Sequence, residues 1–333
     1  MKLFYYKNPI GNFGDDLNPW IWETLAPDLF DDDDSTVLVG IGTLINDRAP
    51  EKPRKIVFGS GVGYHRLPVI DEKWEFYCVR GPLSAERLNL DKSCALSDPA
   101  VLLTQVVGEA KMEKQDMVCY MPHHASSMFA DWRSICEKAG LVYIDPADDM
   151  KETVRKIRQS KFIIAEAMHA AIVADAFRVP WIPVACYDHI LDFKWNDWCA
   201  SLDMKYRHTK IQSIWDMERD FSLTTRLKTN VKRGFRKVGI WTDMWTPPVP
   251  KTNRASVEDD VVQSLIRLKN NGVQCLSSDL AHTRSIDQLL TCLERLRKDF
   301  RHKRIGARAI PSAPIMPAGT QIGIPQGAHG TSV

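Results

Sequence analysis

The chain has 333 residues with 44 basic and 42 acidic side chains, so its formal net charge is only +2. This balance excludes the strong basic field of a general nucleic-acid binder, and the length favours two domains over one. Eight cysteines are scattered singly without a C-x-x-C pair, which argues against a metal site and against a disulfide framework. The start, MKLFYYKNP, contains no apolar signal sequence, and no run of 18 apolar residues follows. We therefore expect a cytoplasmic protein.

Short apolar runs alternate with helical patterns along most of the chain. The runs are rich in β-branched and aromatic residues without polar alternation, as expected of strands that are covered on both faces. Alternating strands and helices with short turns predict an α/β fold with parallel sheets of the doubly wound type. The predicted strands are Leu3–Tyr6, Thr36–Val39, Lys55–Phe58, Glu75–Val79, Val118–Met121, Leu141–Ile144, Phe162–Ala165 and Trp181–Val184.

A polar stretch without periodicity, residues 108–117, is the predicted boundary between two strand-helix series. It divides the chain into an N-terminal domain, 1–110, and a C-terminal domain, 111–300. Residues 301–333 turn basic and then rich in Pro, Gly, Ala and Ser, which predicts a disordered tail. The C-terminal domain ends in two amphipathic helices, whose apolar faces are Val257, Val261, Leu265 and Leu268, and Ile286, Leu289, Leu293 and Leu296.

The first candidate site follows the first strand, where Gly11-Asn12-Phe13-Gly14-Asp15-Asp16 leads into a helix. Ligand sites in parallel sheets lie beyond the carboxyl ends of the strands, and glycines let the backbone approach a ligand closely. We expect one of Asp15 and Asp16 to cap the helix. The other carboxylate is then available to accept a sugar hydroxyl proton or to act in acid–base chemistry.

Glycine-rich turns and an arginine follow the next strands. The turns at 40–43 and 59–63 do not match G-x-G-x-x-G, so they serve either as tight turns or as backbone amides that face an anion. Arg80 ends the fourth strand, before Gly81-Pro82 opens a helix, and a guanidinium placed there can grip a carboxylate or a phosphate. The alternative is an internal ion pair with an acid such as Asp98, which itself precedes a proline and is a candidate helix cap.

Three histidines follow strands in the second half of the chain. His123 and His124 come after Val118–Met121, and His169 comes after Phe162–Ala165. Because strand ends in a parallel sheet meet at one edge, we expect these imidazoles to converge on a shared cleft. Their spacing is not the i, i+4 pattern of a zinc helix. A histidine at an apolar helix start is also a common structural residue.

These motifs, in this order, resemble those of the polysaccharide pyruvyl transferases. The resemblance rests on the G-N-x-G-D pattern at residues 11–15, the turns at Arg80-Gly81-Pro82 and Ser97-Asp98-Pro99, and the helix entry at His169. It covers roughly residues 1–200 and is greatest to the exopolysaccharide ketal-pyruvate transferases of the succinoglycan and xanthan type. It implies two facing Rossmann-like doubly wound domains, similar to the B-type glycosyltransferases.

The resemblance also implies a reaction. Phosphoenolpyruvate would be the donor and a sugar of a lipid-linked oligosaccharide the acceptor, with a pyruvate ketal and phosphate as products and no metal or redox cofactor. His169 is then expected to bind phosphate or transfer a proton, and Arg80 to hold a donor anion. Asp15 or Asp16 would serve the acceptor hydroxyl, beside Asn12 and Gly14.

One departure from the family pattern concerns the donor. Many members carry Arg-Leu-His where this chain has Ala167-Met168-His169, so an expected cation is missing. We expect Arg80, His123 or His124 to supply that charge.

Two other functions share these features. A B-type glycosyltransferase would use a nucleotide sugar and would need a nucleobase pocket, which the sequence does not locate. A non-catalytic sugar-binding protein would stack sugar rings on aromatic side chains. Trp195 and Trp198 are candidates for such stacking in either case, and core packing beside a helix is the alternative for both.

The segment from Leu223 to Trp245 has apolar residues on one helical face and cations on the other. Such a helix suits the surface of an anionic membrane, and a lipid-linked acceptor would require an enzyme near the cytoplasmic leaflet. The alternative is a helix that packs its apolar face between domains, and Gly234 and Gly239 weaken the helix prediction. The apolar face comprises Leu227, Val231, Phe235, Val238, Trp241 and Trp245.

Overall fold

A computed structural model of the chain describes residues 1–8, 11–108, 112–214 and 255–301, with residues 222–224, 227, 228 and 231. Two parallel β-sheets with helices around them form this structure, as the alternating pattern predicts. None of the described helices is both long enough and apolar enough to span a bilayer. The predicted tail beyond residue 301 and most of residues 223–245 lie outside the described residues, as does the boundary at residue 110.

The first sheet has four parallel strands in the order β1-β2-β3-β4. Each described strand of this sheet is added next to the one before it, always on the same side. These strands therefore lack the reversal of strand order that defines a doubly wound sheet. Short 3₁₀ helices lie at Pro27–Leu29, Lys92–Cys94 and Pro99–Leu102. The strands and helices are β1 (Lys2–Phe4), α1 (Phe13–Leu25), β2 (Thr36–Val39), β3 (Arg54–Phe58), β4 (Trp74–Cys78), α2 (Pro82–Arg87) and α3 (Leu103–Val107).

The second sheet has five parallel strands in the order β6-β5-β7-β8-β9. The chain adds β6 on one side of β5 and β7 on the other, so the strand order reverses between β5 and β7, and ligands bind beyond the strand ends at such a switch point. The elements are β5 (Val118–Met121), α4 (His124–Ser127), α5 (Trp132–Lys138), β6 (Val142–Tyr143), α6 (Met150–Gln159), β7 (Phe162–Ala165), α7 (Met168–Ala176), β8 (Trp181–Ala185), α8 (Asp192–Ser201), β9 (Thr209–Lys210), α9 (Ala255–Asn271) and α10 (Asp279–Arg301).

All eight predicted strands are confirmed, with ends that shift by no more than two residues. Both amphipathic helices are also confirmed, as α9 and α10, with their predicted apolar faces buried. Strand β9 is an addition that the sequence did not predict. It consists of two exposed residues at the sheet edge and therefore carries no apolar run.

The apolar core joins the two sheets. One continuous cluster of buried side chains draws on both sheets and on α1, α7 and α10. The chain returns to the first sheet through α10, where the Tyr77 hydroxyl donates to Asp299 Oδ2 at 3.0 Å. Because the sheets share this core, the carboxyl ends of their strands lie close enough to contribute to one site.

Asn18 fixes α1 to the end of β2. Its buried side-chain amide donates to the carbonyl oxygens of Asp15 and Ile41, both at 3.0 Å. Its oxygen accepts the Ile41 backbone N–H at 2.8 Å and the Trp22 indole N–H at 3.1 Å. All four bonds involve one buried side chain, so the position of the helix start depends on it.

We expect Asn18→Ala to lower the free energy of unfolding by roughly 3–5 kcal/mol, because it leaves several buried polar groups without partners. Urea denaturation measures the change. The matched control is Asn196→Ala on the exposed side of α8, whose amide donates only to Asp192 O, and its effect should stay within about 0.5 kcal/mol. Equal effects of the two substitutions would contradict the role of Asn18.

Candidate active site

The N-terminus of α1 gives the two adjacent aspartates different surroundings. The Asp16 carboxylate accepts the backbone N–H of Asn12 at 2.9 Å and so caps the first turn. The Phe13 N–H donates at 2.9 Å to the carbonyl oxygen of Pro146, in the loop after β6. Asp15 is buried, and its carboxylate accepts a hydrogen bond from the side-chain amide of Asn12. Asp16 therefore serves the helix, and Asp15 is the carboxylate left for chemistry.

His169 lies directly against this helix start. A Cβ atom at Gly14 would stand 1.9 Å from the imidazole Nδ1, so only glycine admits the ring at this position. The other ring nitrogen, Nε2, lies 3.6 Å from Asp98 Oδ2, and neither atom has a hydrogen-bond partner within the described ranges. Asp98 Oδ1 accepts the Ala100 N–H at 3.0 Å, which fixes the carboxylate. The structure thus places an acidic side chain beside the imidazole.

Burial raises the pKa of the Asp15 carboxyl to about 6, and the charges of His169 and Lys194 offset part of that effect. Desolvation disfavours the ionised carboxylate, which is why the pKa rises. A carboxyl group with a pKa near the working pH both gives and accepts protons readily. Asp15 is therefore suited to acid–base chemistry.

Glu166 ties three strand ends of the second sheet together. Its fully buried carboxylate follows β7 and accepts the backbone N–H of His123, after β5, at 3.0 Å. It also accepts the N–H of Cys186, after β8, at 2.9 Å. Burial raises the pKa of Glu166. Glu166 thus fixes the loops after β5 and β8, close to the point where the strand order reverses.

His123 and His124 form a cluster with His189. The ring centroid of His123 lies 4.3 Å from that of His124 and 5.0 Å from that of His189. Burial, with the positive charge of Lys194 nearby, lowers the pKa of His124 and of His189 to about 4 and that of His123 well below its usual value. At neutral pH these imidazoles are uncharged. Their lowered pKa values argue against the expectation that His123 or His124 supplies the missing cation.

No group of three or more His, Cys, Asp or Glu side chains suited to a metal ion occurs among the residues that the structure describes. His123 Nδ1 accepts the backbone N–H of Ala125 at 3.2 Å, which caps the short helix α4.

Arg80 is fully buried and lies in an internal network, which corrects the expectation that it grips the donor. Its Nε donates to Asp197 Oδ2 at 3.0 Å, its Nη1 to Thr43 Oγ1 at 3.1 Å and its Nη2 to the Val62 carbonyl at 2.9 Å. Asp197, on α8, also accepts the Ser84 N–H at 2.8 Å. The anion that Arg80 binds is therefore Asp197, and neither Asp98 nor a ligand takes that place.

Trp195 and Trp198 are core residues, which corrects their candidacy for sugar stacking. Each is about 1% exposed, and both pack against Trp181. Trp195 also stacks on Tyr206 with ring centroids 5.0 Å apart. Their rings therefore have no open face for a sugar.

Lys194 is the site residue that the sequence reasoning missed. It is buried on α8, and its ammonium lies 4.2 Å from the ring centroid of Tyr64. The sequence does contain a clue, because Lys194 is a single cation between two aromatic residues, Phe193 and Trp195. Glu166 was missed too, although a lone acid at the end of a wholly apolar strand is an equally readable signal.

The arrangement is typical of α/β enzymes, in which ionisable side chains gather beyond the strand ends of parallel sheets. A family model described as polysaccharide pyruvyl transferase matches residues 2–189. The chain is 37% identical over 264 residues to the succinoglycan biosynthesis protein ExoV of Rhizobium meliloti (strain 1021), a match that covers 78% of this chain and 80% of that protein. The chain belongs to the polysaccharide pyruvyl transferase family, which confirms the resemblance, and it is an enzyme of that class.

We expect Arg80→Met to lower the free energy of unfolding by about 3–5 kcal/mol, because it leaves Asp197 buried without its cation. The double variant Arg80→Met/Asp197→Asn removes the uncompensated charge and should recover a large part of the loss. Chemical denaturation of both proteins tests this. A double variant that is less stable than Arg80→Met would show that the ion pair does not hold this interface.

The raised pKa of Asp15 predicts a pH-dependent stability. An acid whose folded pKa is about 6, against 3.8 when unfolded, stabilises the fold below pH 4, and this contribution is lost as the pH rises through 6. Asp15→Asn lacks this dependence. Its stability relative to the wild type should rise between pH 4 and pH 7.5, by at most about 3 kcal/mol for a shift of about two pKa units. Urea denaturation at both pH values measures the difference, and an unchanged difference would contradict the burial of an ionisable Asp15.

Proposed function

We propose that this enzyme transfers the pyruvyl group of phosphoenolpyruvate to a sugar of a lipid-linked exopolysaccharide repeat unit. The products would be a pyruvate ketal, which spans two sugar oxygens, and phosphate. Membership of the pyruvyl transferase family supports the reaction class, and the printed name of the relative supports an exopolysaccharide acceptor. The observation that carries the proposal is the position of His169 against Gly14, with Asp98 beside its Nε2 and the buried Asp15 close by.

The chemistry requires three proton movements. The methylene carbon of phosphoenolpyruvate takes a proton and becomes a methyl group, which leaves an oxocarbenium-like centre at the neighbouring carbon. One sugar hydroxyl attacks that carbon and loses its proton, the C–O bond to phosphate breaks, and a second hydroxyl closes the ring. The proton of this second hydroxyl is taken up by the released phosphate. The site must therefore hold a proton donor, a base for the hydroxyls and a cation for the anionic donor.

Two described side chains fit the proton movements. We assign the proton donor to His169, because its imidazole lies beyond the end of β7 against Gly14, with Asp98 Oδ2 3.6 Å from Nε2. We assign the base for the sugar hydroxyl to Asp15, whose pKa of about 6 suits proton transfer at neutral pH. Asn12 holds the Asp15 carboxylate through its side-chain amide, and Gly14 makes room for the imidazole.

The proposal includes the arrangement and location of the enzyme. We infer two facing Rossmann-like domains, similar to the B-type glycosyltransferases, with the acceptor between them; the shared core and the return of α10 to the first sheet support this. An acceptor carried on a lipid would bring the enzyme to the cytoplasmic face of the membrane. The predicted amphipathic segment 223–245 would then contact anionic lipids.

The direct test incubates purified protein with phosphoenolpyruvate and a lipid-linked oligosaccharide from the polymer pathway. Phosphate release and an acceptor mass that increases by one pyruvyl ketal would support the proposal. A parallel incubation replaces phosphoenolpyruvate with nucleotide sugars. Transfer of a sugar, with no ketal formed from phosphoenolpyruvate, would overturn the proposal in favour of a glycosyltransferase.

We expect His169→Ala to lower the turnover number by about 10²–10⁴-fold while the protein stays folded, because the proton donor is lost. Circular dichroism and thermal unfolding check the fold. His282→Ala is the matched control, since His282 is a partly buried histidine of α10 that contacts Ala176 O at 3.0 Å. It should retain near-wild-type turnover. A folded His169→Ala protein with wild-type turnover would overturn the assignment.

A further inference from the structure

Lys194 is a buried cation whose charge nothing in its described surroundings neutralises. It is 9% exposed, and no carboxylate or other acceptor among the described residues lies within hydrogen-bond or ion-pair distance of Nζ. The ammonium instead lies over the Tyr64 ring at 4.2 Å. A Cβ at Gly63 would come within 3.1 Å of Lys194 Cγ, so the chain after β3 is packed tightly against its stem.

Burial of an ammonium without a counter-ion is unfavourable, and contact with an aromatic face offsets only part of the cost. The acid whose pKa most clearly responds to Lys194 is Asp15, and that carboxyl is itself largely protonated below about pH 6. The other titratable groups that respond to Lys194 are His123, His124 and His189, all neutral at pH 7. At pH 7 the Asp15 carboxyl is mostly ionised, but no carboxylate among the described residues pairs directly with the Lys194 ammonium.

The neutral histidines add hydrogen-bonding capacity around that cation. His189 lies in the same cluster as His123, and its Nε2 contacts Ser126 Oγ at 3.1 Å. A dianion that binds here would meet one ammonium and imidazole rings that can donate N–H groups. A phosphate monoester matches both needs, because its charge offsets the ammonium and its three oxygens accept several hydrogen bonds.

We propose that Lys194 binds the phosphate group of the donor, next to the His123–His124–His189 cluster. This inference rests on the proposed function, since it takes phosphoenolpyruvate as the donor. Arg80 cannot serve, because Asp197 already binds it, and the helix entry at Ala167 carries no cation. The assignment puts the departing phosphate at Lys194 and leaves His169, with Asp15, at the carbon that accepts the proton.

The test measures phosphoenolpyruvate binding by isothermal titration calorimetry to the wild type and to Lys194→Met and Lys194→Arg. Loss of a charge-assisted hydrogen bond should weaken binding by about 10–100-fold in Lys194→Met. Lys194→Arg keeps the charge and should lose less than about tenfold. The Michaelis constant for phosphoenolpyruvate should rise in the same order.

Lys55→Met is the matched control. Lys55 is also a buried lysine over an aromatic ring, with Nζ 5.3 Å from the Trp74 ring centroid, but it lies at the start of β3, away from the carboxyl end of the strand, and its ammonium donates to Glu51 O at 3.1 Å. Its substitution should leave phosphoenolpyruvate affinity unchanged. Thermal unfolding separates binding from structure. Lys194→Met should not lower the melting temperature and is expected to raise it by about 2 °C, because an uncompensated buried charge is removed.

Two results would overturn the assignment of Lys194 alone. One is a wild type that binds phosphoenolpyruvate and forms ketal while Lys194→Met binds it equally well. The other is a fall in melting temperature in Lys194→Met that Lys194→Arg does not restore, with binding lost in both, which would make Lys194 a structural residue. A folded wild type that binds no phosphoenolpyruvate and transfers sugar from a nucleotide would overturn the proposed function and this inference together.

Discussion

The buried ion pair between Arg80 and Asp197 sets where helix α8 lies relative to the first sheet. Both side chains are fully buried, and Asp197 also accepts hydrogen bonds from the backbone and hydroxyl of Ser84 at the start of α2. Close approach is possible because Gly81 has no side chain, since a Cβ there would stand 2.0 Å from the Asp197 carbonyl oxygen. Lys194 lies one helical turn before Asp197, on the same face of α8. By fixing α8, the ion pair therefore also places the Lys194 side chain against Tyr64 and Gly63. A network that holds the protein together thus positions the cation of the site.

The second contact between the two sheets, at the start of α1, assembles the remaining groups. Asn18 holds α1 on β2, Asp16 caps its first turn, and Gly14 lets His169 approach from the second sheet. Together these contacts bring a carboxyl group with a raised pKa, neutral imidazoles and an ammonium without an ion-pair partner among the described residues into one poorly solvated space. Such a set is unfavourable for folding stability and favourable for an anionic ligand, a trade-off expected at a functional site.

The sequence predicted those features that depend on local pattern. The strands of a sheet covered on both faces are continuous apolar runs, so strands such as Val118–Met121 could be located to the residue. Because ligands bind beyond strand ends, the sequence predicted Asp15 and His169 as site residues. The structure places these two side chains near each other. The partner of Arg80 could not be found in this way. Asp197 lies 117 residues away on a helix whose orientation depends on tertiary packing. For the same reason a pattern could not decide whether Trp195 faces a ligand or the core.

The central claim is that the strand ends of both sheets form one donor site, with the phosphate at Lys194 and the reacting carbon at His169. A crystal structure of the protein with bound phosphoenolpyruvate tests this most directly. We expect a phosphate oxygen within hydrogen-bond distance of Lys194 Nζ and the methylene carbon beside the His169 imidazole. Phosphoenolpyruvate bound instead in the cavity of about 290 Å³ that Lys92, Ser201 and Arg284 line would contradict it.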